Sequence, residues 1–235
     1  MVQALIAGRK TQTRRTLRLP DAPSALGTWE ASTIGGAGVS DSKGRPVAER
    51  PCVWHTRTAA VVAPRFCVGD RLYVRESWRV SPEAAEGWHP DDLRGWIDYQ
   101  AGGSAQLVAP SFEAVEKAAF TKNDDRDWDF LPSRYRPGIH MPRWASRLTL
   151  AVTDVRVERL QECSEADAIA EGIIEFEPTE EDPAEFAYVD GGDIWNNARS
   201  AYAALWNSIN GPGAWEANPW VVAISFTVEQ RNIDT

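Results

Sequence analysis

Long apolar runs are missing from this sequence: no window approaches twenty uninterrupted apolar residues, so no membrane-spanning helix is expected. The N-terminus, Met1-Val2-Gln3-Ala4-Leu5, lacks a basic region followed by an apolar stretch and a small-residue cleavage site, so a secretory signal is not expected either. Cysteine is scarce. Cys52, Cys67 and Cys163 are odd in number, widely spaced and without a Cys-x-x-Cys pair, which points to a reducing cytoplasm and away from a disulfide framework or structural zinc. Glycine-rich phosphate loops, His-Glu-x-x-His and Gly-x-Ser-x-Gly are absent, and the only histidines are His55, His89 and His140. Most standard hydrolase and nucleotide-binding readings lose support, and no metal or cofactor is expected. Net positive charge is lacking as well: the 235 residues sum to −9, which disfavours a protein that coats nucleic acid by neutralising many phosphates.

The charge that is present is unevenly placed. Between Glu158 and Asp193 thirteen acidic residues stand against one basic residue, Arg159, whereas the first eighteen residues carry Arg9, Lys10, Arg14, Arg15 and Arg18 and no acid. A local basic site can therefore coexist with an acidic body. The acidic stretch itself reads as a solvated face.

Along the chain, Leu5 and Ile6 before Gly8 suggest a short helix, and the alternation from Thr13 to Leu19 a strand, leaving Lys10 in the turn between them. The Gly-, Ser- and Pro-rich stretch from about 20 to 64 reads as an extended, partly ordered insertion. Arg71 to Val80 reads as one strand with Leu72, Val74, Glu76 and Trp78 on a single face, so Glu76 needs a basic or hydrogen-bonding partner. A second insertion is expected over about 81–135, with a short strand near Trp96 to Tyr99. Leu148, Leu150 and Val152 alternate, and Val155 and Val157 resume with shifted parity, as in a bulged long strand. Ser164 and Asp167 have capping-box spacing at the start of a helix, a second helix is expected from about Ile194 to Ile209, and Trp220 to Val228 makes a final strand. Bent strands with short helices and no repeating βαβ period favour an α+β fold, a small mixed or antiparallel barrel in one domain over 1–235.

The chemically informative segment is Ala7-Gly8-Arg9-Lys10-Thr11-Gln12-Thr13-Arg14-Arg15. Cations crowded around Lys10 favour its neutral amine, which can act as a base or nucleophile. Thr13 shares strand parity with Leu17 and Leu19, so its hydroxyl is expected to face inward. A solvated basic turn would carry the same composition. His140, in Arg136-Pro137-Gly138-Ile139-His140-Met141-Pro142-Arg143-Trp144, lies among cations and a ring, though a lone histidine beside proline is more often structural.

Together the N-terminal motif, Gly69-Asp70-x-Leu72 and Ser164-Glu165-Ala166-Asp167-Ala168-Ile169-Ala170-Glu171-Gly172 resemble the ASCH domain, a PUA-like barrel family. The stretches Gly69 to Trp78, His140 to Arg147 and Trp206 to Trp220 are similar to ASCH-type proteins common in bacteriophages and prophages. The resemblance implies a PUA-like barrel with flanking helices and, from its small amidohydrolase members, removal of acetate from 4-acetylcytidine. By motif position Lys10 would be the general base, Thr13 the nucleophile and Glu171 the residue that holds the lysine or shuttles a proton. Residues expected to contact a modified nucleobase or nucleoside are Arg9, Arg14, Arg75, Glu76, Trp78, His140, Arg143 and Trp144. The competing reading is an RNA-binding module in which Arg9, Arg14, Arg15, Arg143 and Arg147 meet phosphates while Trp78 or Trp144 stacks on a base.

Overall fold

The structure, a computed structural model, describes residues 1–20, 26–81, 93–120, 124, 134–178, 184–189 and 192–235. In chain order its elements are α1 (Val2–Ile6), β1 (Gln12–Thr16), β2 (Trp29–Ile34), β3 (Arg50–His55), β4 (Val61–Val62), β5 (Arg71–Tyr73), β6 (Trp78–Val80), β7 (Arg94–Tyr99), β8 (Ser104–Val108), α2 (Phe112–Ala119), β9 (Thr149–Arg159), α3 (Glu165–Ala170), β10 (Ile174–Phe176), β11 (Glu185–Ala187), α4 (Ala198–Asn210) and β12 (Trp220–Glu229). The class is α+β, mostly antiparallel, with a curled half-barrel sheet and few helices. Where the sequence suggested one domain with two insertions, the chain packs as two compact units. One comprises Met1, Gln3–Asp70 and Val152–Thr227; the other comprises Val2, Arg71–Ala151 and Val228–Thr235.

In the first unit β12 lies between β1 and β9, and it pairs antiparallel with β1 from Gln12↔Ser225 to Thr16↔Val221. Trp220 to Ile224 are all buried, as expected of a strand covered on both faces. In β9, Val152 and Val155 are both buried with two exposed residues between them, so the parity shift seen in the sequence is a real change of phase. The α3 helix opens with the expected capping box: Asp167 N–H donates to Ser164 Oγ at 3.1 Å, and Ser164 N–H to Asp167 Oδ2 at 3.1 Å. The α4 helix starts at Ala198, four residues later than its apolar spacing suggested. Asn197 caps it, and before the cap Trp195 exchanges backbone hydrogen bonds with Phe186 of β11. Its buried face, Ala198, Ala201, Tyr202 and Trp206, packs with Leu160, Ala168, Ile173 and Val221 into the core of this unit.

The 20–64 stretch, expected to be an extended, partly ordered insertion, holds a three-stranded antiparallel sheet in the order β2-β3-β4. Its outer strand β2 carries Glu30, Ala31, Ser32 and Thr33, all exposed, so it has no apolar alternation to read. The order comes instead from pairing with β3, which buries Cys52, Val53 and His55.

In the second unit β6, β7 and β8 form an antiparallel sheet, and α2 adds Val115 to a core with Trp78, Ile97 and Tyr99. Much of the expected 81–135 insertion is therefore core-forming; within it, 82–92, 121–123 and 125–133 lie outside the described residues. The single strand expected from Arg71 to Val80 is two. The first, β5, pairs with β9 (Arg71↔Ala151), whereas β6 pairs with β7 (Trp78↔Tyr99). At the break Gly138 lies so close that a Cβ there would sit 3.1 Å from the backbone of Glu76. Glu76 is buried and finds the partner its position required: Arg147 donates to both carboxylate oxygens at 2.9 Å. Replacing Arg147 by Ala leaves that carboxylate buried and unpaired. We expect a loss of about 3–5 kcal/mol in urea-monitored stability, with much of it restored in an Arg147→Met, Glu76→Leu double variant.

Candidate functional site

The loop between α1 and β1 is fixed at both sides. Lys10 N–H donates to Ala4 O at 3.0 Å, and Thr11 N–H to Ala170 O at 2.8 Å, which ties the loop to the end of α3. Immediately beyond, Gly172 turns the chain with φ of +101°, and a Cβ there would stand 3.3 Å from the Lys10 Cβ. Glycine thus allows Lys10 and Glu171 to be packed together. Lys10 Nζ donates to Glu171 Oε2 at 2.6 Å and to the Glu171 carbonyl at 2.8 Å, with the two residues 5 % and 6 % exposed.

Arg14 completes the arrangement from β1. Its side chain is fully buried and donates to Glu158 Oε1 through Nε (3.0 Å) and Nη2 (2.8 Å), to Gln12 Oε1 (2.6 Å) and to Glu171 Oε1 (3.4 Å), with Asp167 Oδ2 3.3 Å from Nη2. The Tyr202 hydroxyl donates to Glu171 Oε1 at 3.1 Å. One carboxylate oxygen of Glu171 therefore holds Lys10, and the other is held by Arg14 and Tyr202. Arg156 closes the far side, donating to Asp167 Oδ1 at 2.7 Å. The cations Lys10, Arg14 and Arg156 face the carboxylates Glu158, Asp167 and Glu171, so the cluster balances its own charge.

Burial pushes the Lys10 ammonium below the ordinary lysine range against the pull of Glu171, and Arg15 and Arg14 add to the lowering. Burial, then the Glu171 carboxylate, push the Tyr202 phenol up, so it stays a proton donor at neutral pH. Cys163, beneath the cluster, is pushed up to about 12 by burial and remains a neutral packing side chain.

Two cavities adjoin the Lys10–Glu171 pair, and both residues line each. The smaller, about 110 Å³, is also lined by Thr13, Arg14, Arg15, Thr16, Tyr202 and Trp206. The larger, about 490 Å³, is lined by Arg9, Ala4, Ile174, Tyr188, Leu205 and Ile209 among others. Thr13 is thus in the same cavity as Lys10 and Glu171, but no hydrogen bond joins its hydroxyl to either. The β1 strand is shorter than expected, and its buried positions are Gln12 and Arg14, with Thr13 half-buried on the cavity wall.

The other expected contact residues belong to the second unit, and none lines either cavity. Trp78 is completely buried core, which corrects the expectation that it stacks on a base. Trp144 packs against that same core. Glu76 is bound to Arg147, Arg143 donates to Asp234 at 2.9 Å, and His140 and Arg75 are exposed. The row of phosphate-binding cations is also reduced, because Arg14, Arg143 and Arg147 each bind a carboxylate; Arg9 and Arg15 carry no ion pair among the described residues. Sequence reasoning missed Gln12, Arg156, Glu158 and Tyr202: Gln12 meets Arg14 two residues on, whereas Glu158 and Tyr202 show their part only by meeting residues far away in the chain. No group of three or more His, Cys, Asp or Glu side chains that could hold a metal occurs among the described residues, and no described helix is long and apolar enough to cross a membrane. Compared with protein-family models, curated proteins and solved structures, the chain matches none.

Burial alone would raise the Asp167 carboxyl, but the hydrogen bonds from Ser164 and Arg156 outweigh it and hold the group well below the usual carboxylate range. The unfolded chain binds this proton near 3.8, before the folded chain does. The stabilisation is therefore complete above 3.8 and is lost as pH falls below it. Urea midpoints measured down the acid range should fall more steeply for the wild type than for an Asp167→Asn variant.

Proposed function

We propose that the protein is an amidohydrolase that removes an acyl group from a modified nucleobase or nucleoside of the 4-acetylcytidine kind. The observation that carries this reading is a buried lysine, lowered towards its neutral form and bound to a glutamate, beside a cavity that Thr13 also lines. These are the residues that the resemblance to ASCH amidohydrolases assigns to catalysis, and the PUA-like form of the fold is part of the same proposal.

In this scheme neutral Lys10 takes the proton of the Thr13 hydroxyl as its oxygen bonds to the acyl carbon, and the carbonyl pair moves to oxygen. Collapse breaks the C–N bond, and the leaving amine takes the proton from Lys10. Water then adds to the Thr13 ester, again losing a proton to Lys10; collapse breaks the acyl C–O bond, the carboxylic acid leaves, and the Thr13 oxygen takes that proton back from Lys10. Glu171 touches Lys10 throughout and fixes its nitrogen. Arg14 is a positioning residue, because it acts through Glu171. A net acidic body suits a small, weakly charged substrate better than a long polyanion.

Purified protein incubated with 4-acetylcytidine should release cytidine, followed by chromatography, and Lys10→Ala and Thr13→Ala variants should lose turnover by about a hundredfold or more. A folded wild type that releases no cytidine sinks the proposal. Because the base must be the free amine, the rate should climb with rising pH and level off below the ordinary lysine range; a rate that falls over that interval contradicts the assigned role of Lys10.

A further inference from the structure

Of the 25 Lys and Arg residues only four are lysines, Lys10, Lys43, Lys117 and Lys122. Arginine does not give up its proton in a protein, so lysine is the cation that can be present as a neutral amine. Lys43 and Lys117 are exposed, the latter paired with Glu113 on the surface of α2, whereas Lys10 is buried; Lys122 lies outside the described residues. A neutral Lys10 has two N–H groups and one lone pair. Glu171 accepts from Nζ through Oε2 at 2.6 Å and through its main-chain carbonyl at 2.8 Å, so both N–H groups are taken up and the lone pair is left over. Among the described residues no hydroxyl donates to it: Thr13 makes no hydrogen bond to Lys10, and Tyr202 donates to Glu171. The larger cavity that Lys10 lines, about 490 Å³, is of the size of small-molecule sites. Its other lining is mainly apolar, with Ala4, Ile174, Leu205, Ile209 and the ring of Tyr188, and its Arg9 is exposed.

We propose that Lys10 is itself a nucleophile, one that captures small uncharged aldehydes in the larger cavity as an imine on Nζ. The Nζ lone pair bonds to the carbonyl carbon and the carbonyl pair moves to oxygen. Glu171 Oε2, already in contact with Nζ, takes one proton from the nitrogen and passes it to that oxygen, giving the carbinolamine. The nitrogen pair then closes the C=N bond as the C–O bond breaks, and the second N–H proton follows through the same carboxylate, so the oxygen leaves as water. Arg14 and Tyr202 hold the carboxylate in place from its other oxygen. The inference goes beyond the amidohydrolase reading and shares with it only the neutral amine of Lys10, so a protein that releases no cytidine can still capture an aldehyde.

The test is made on the wild type, incubated at neutral pH with benzaldehyde and cyanoborohydride. The reductant delivers hydride to the imine carbon and fixes the bond as a secondary amine, which peptide fragmentation in a mass spectrometer then assigns to a residue. Lys10 should be modified at a rate that levels off as benzaldehyde is raised. Lys43 and Lys117, whose ammonium groups have no lone pair, should react about tenfold or more slowly and in direct proportion to concentration. Modification that follows exposure and leaves Lys10 last, or a Lys10 rate that never saturates, overturns the proposal. Ile209 lines the cavity yet is 63 % exposed, so Ile209→Trp narrows the space without changing a buried side chain. That variant should need about tenfold more benzaldehyde for half-saturation at Lys10, with Lys43 unaffected. Capture at Lys10 by Ile209→Trp with the wild-type concentration dependence places the reaction outside the cavity and likewise overturns the proposal.

Discussion

Everything at the candidate site depends on Arg14 being buried with its charge fully answered. An unpaired guanidinium inside a protein would cost several kcal/mol, and here three carboxylates and an amide oxygen surround it. The carboxylates come from β9, from the first turn of α3 and from the residue after its end, and the amide from β1 itself. One cation thus fixes strand against helix. Glu171, bound by Arg14 and Tyr202 through one oxygen, has the other oriented on Lys10. The lysine is consequently buried, which is what lowers its proton affinity. Packing, charge balance and chemistry are consequences of the same set of contacts.

The same logic explains an unusual economy around α3. Asp167 is both the capping-box residue that starts the helix and an acceptor for Arg14 and Arg156. Its local role was legible from the spacing of Ser164 and Asp167, since a capping box is written within four residues of sequence. Its second role was not, because the partners lie in β1 and β9. A residue within the stretch read as a solvated acidic face is thus part of the cluster's interior edge.

Legibility followed sequence distance and burial pattern. The final strand, the phase shift at Asp154, the cap of α3 and the need of Glu76 for a cation were all readable, because each is set by neighbours or by an apolar face. The β2 strand was not readable, since its side chains are exposed and only its backbone pairing orders it. The strand from Arg71 to Val80 misled for the opposite reason: apolar alternation continues across a break where the chain changes partner from β9 to β7. Trp78 was an attractive stacking residue in sequence and is core in the fold, whereas Tyr202 and Trp206, unremarked in an amphipathic helix, face the site. Sequence placed Lys10, Thr13 and Glu171 by family pattern, and the structure gathers them around one cavity with the threonine unbonded.

Lys10 and Glu171 are separated by 161 positions in the chain, yet both are buried where they meet. Closing so long a loop costs entropy that is recovered as the elements holding the pair, β1, α3 and α4, come together. Partly folded chains therefore carry both side chains without carrying the pair.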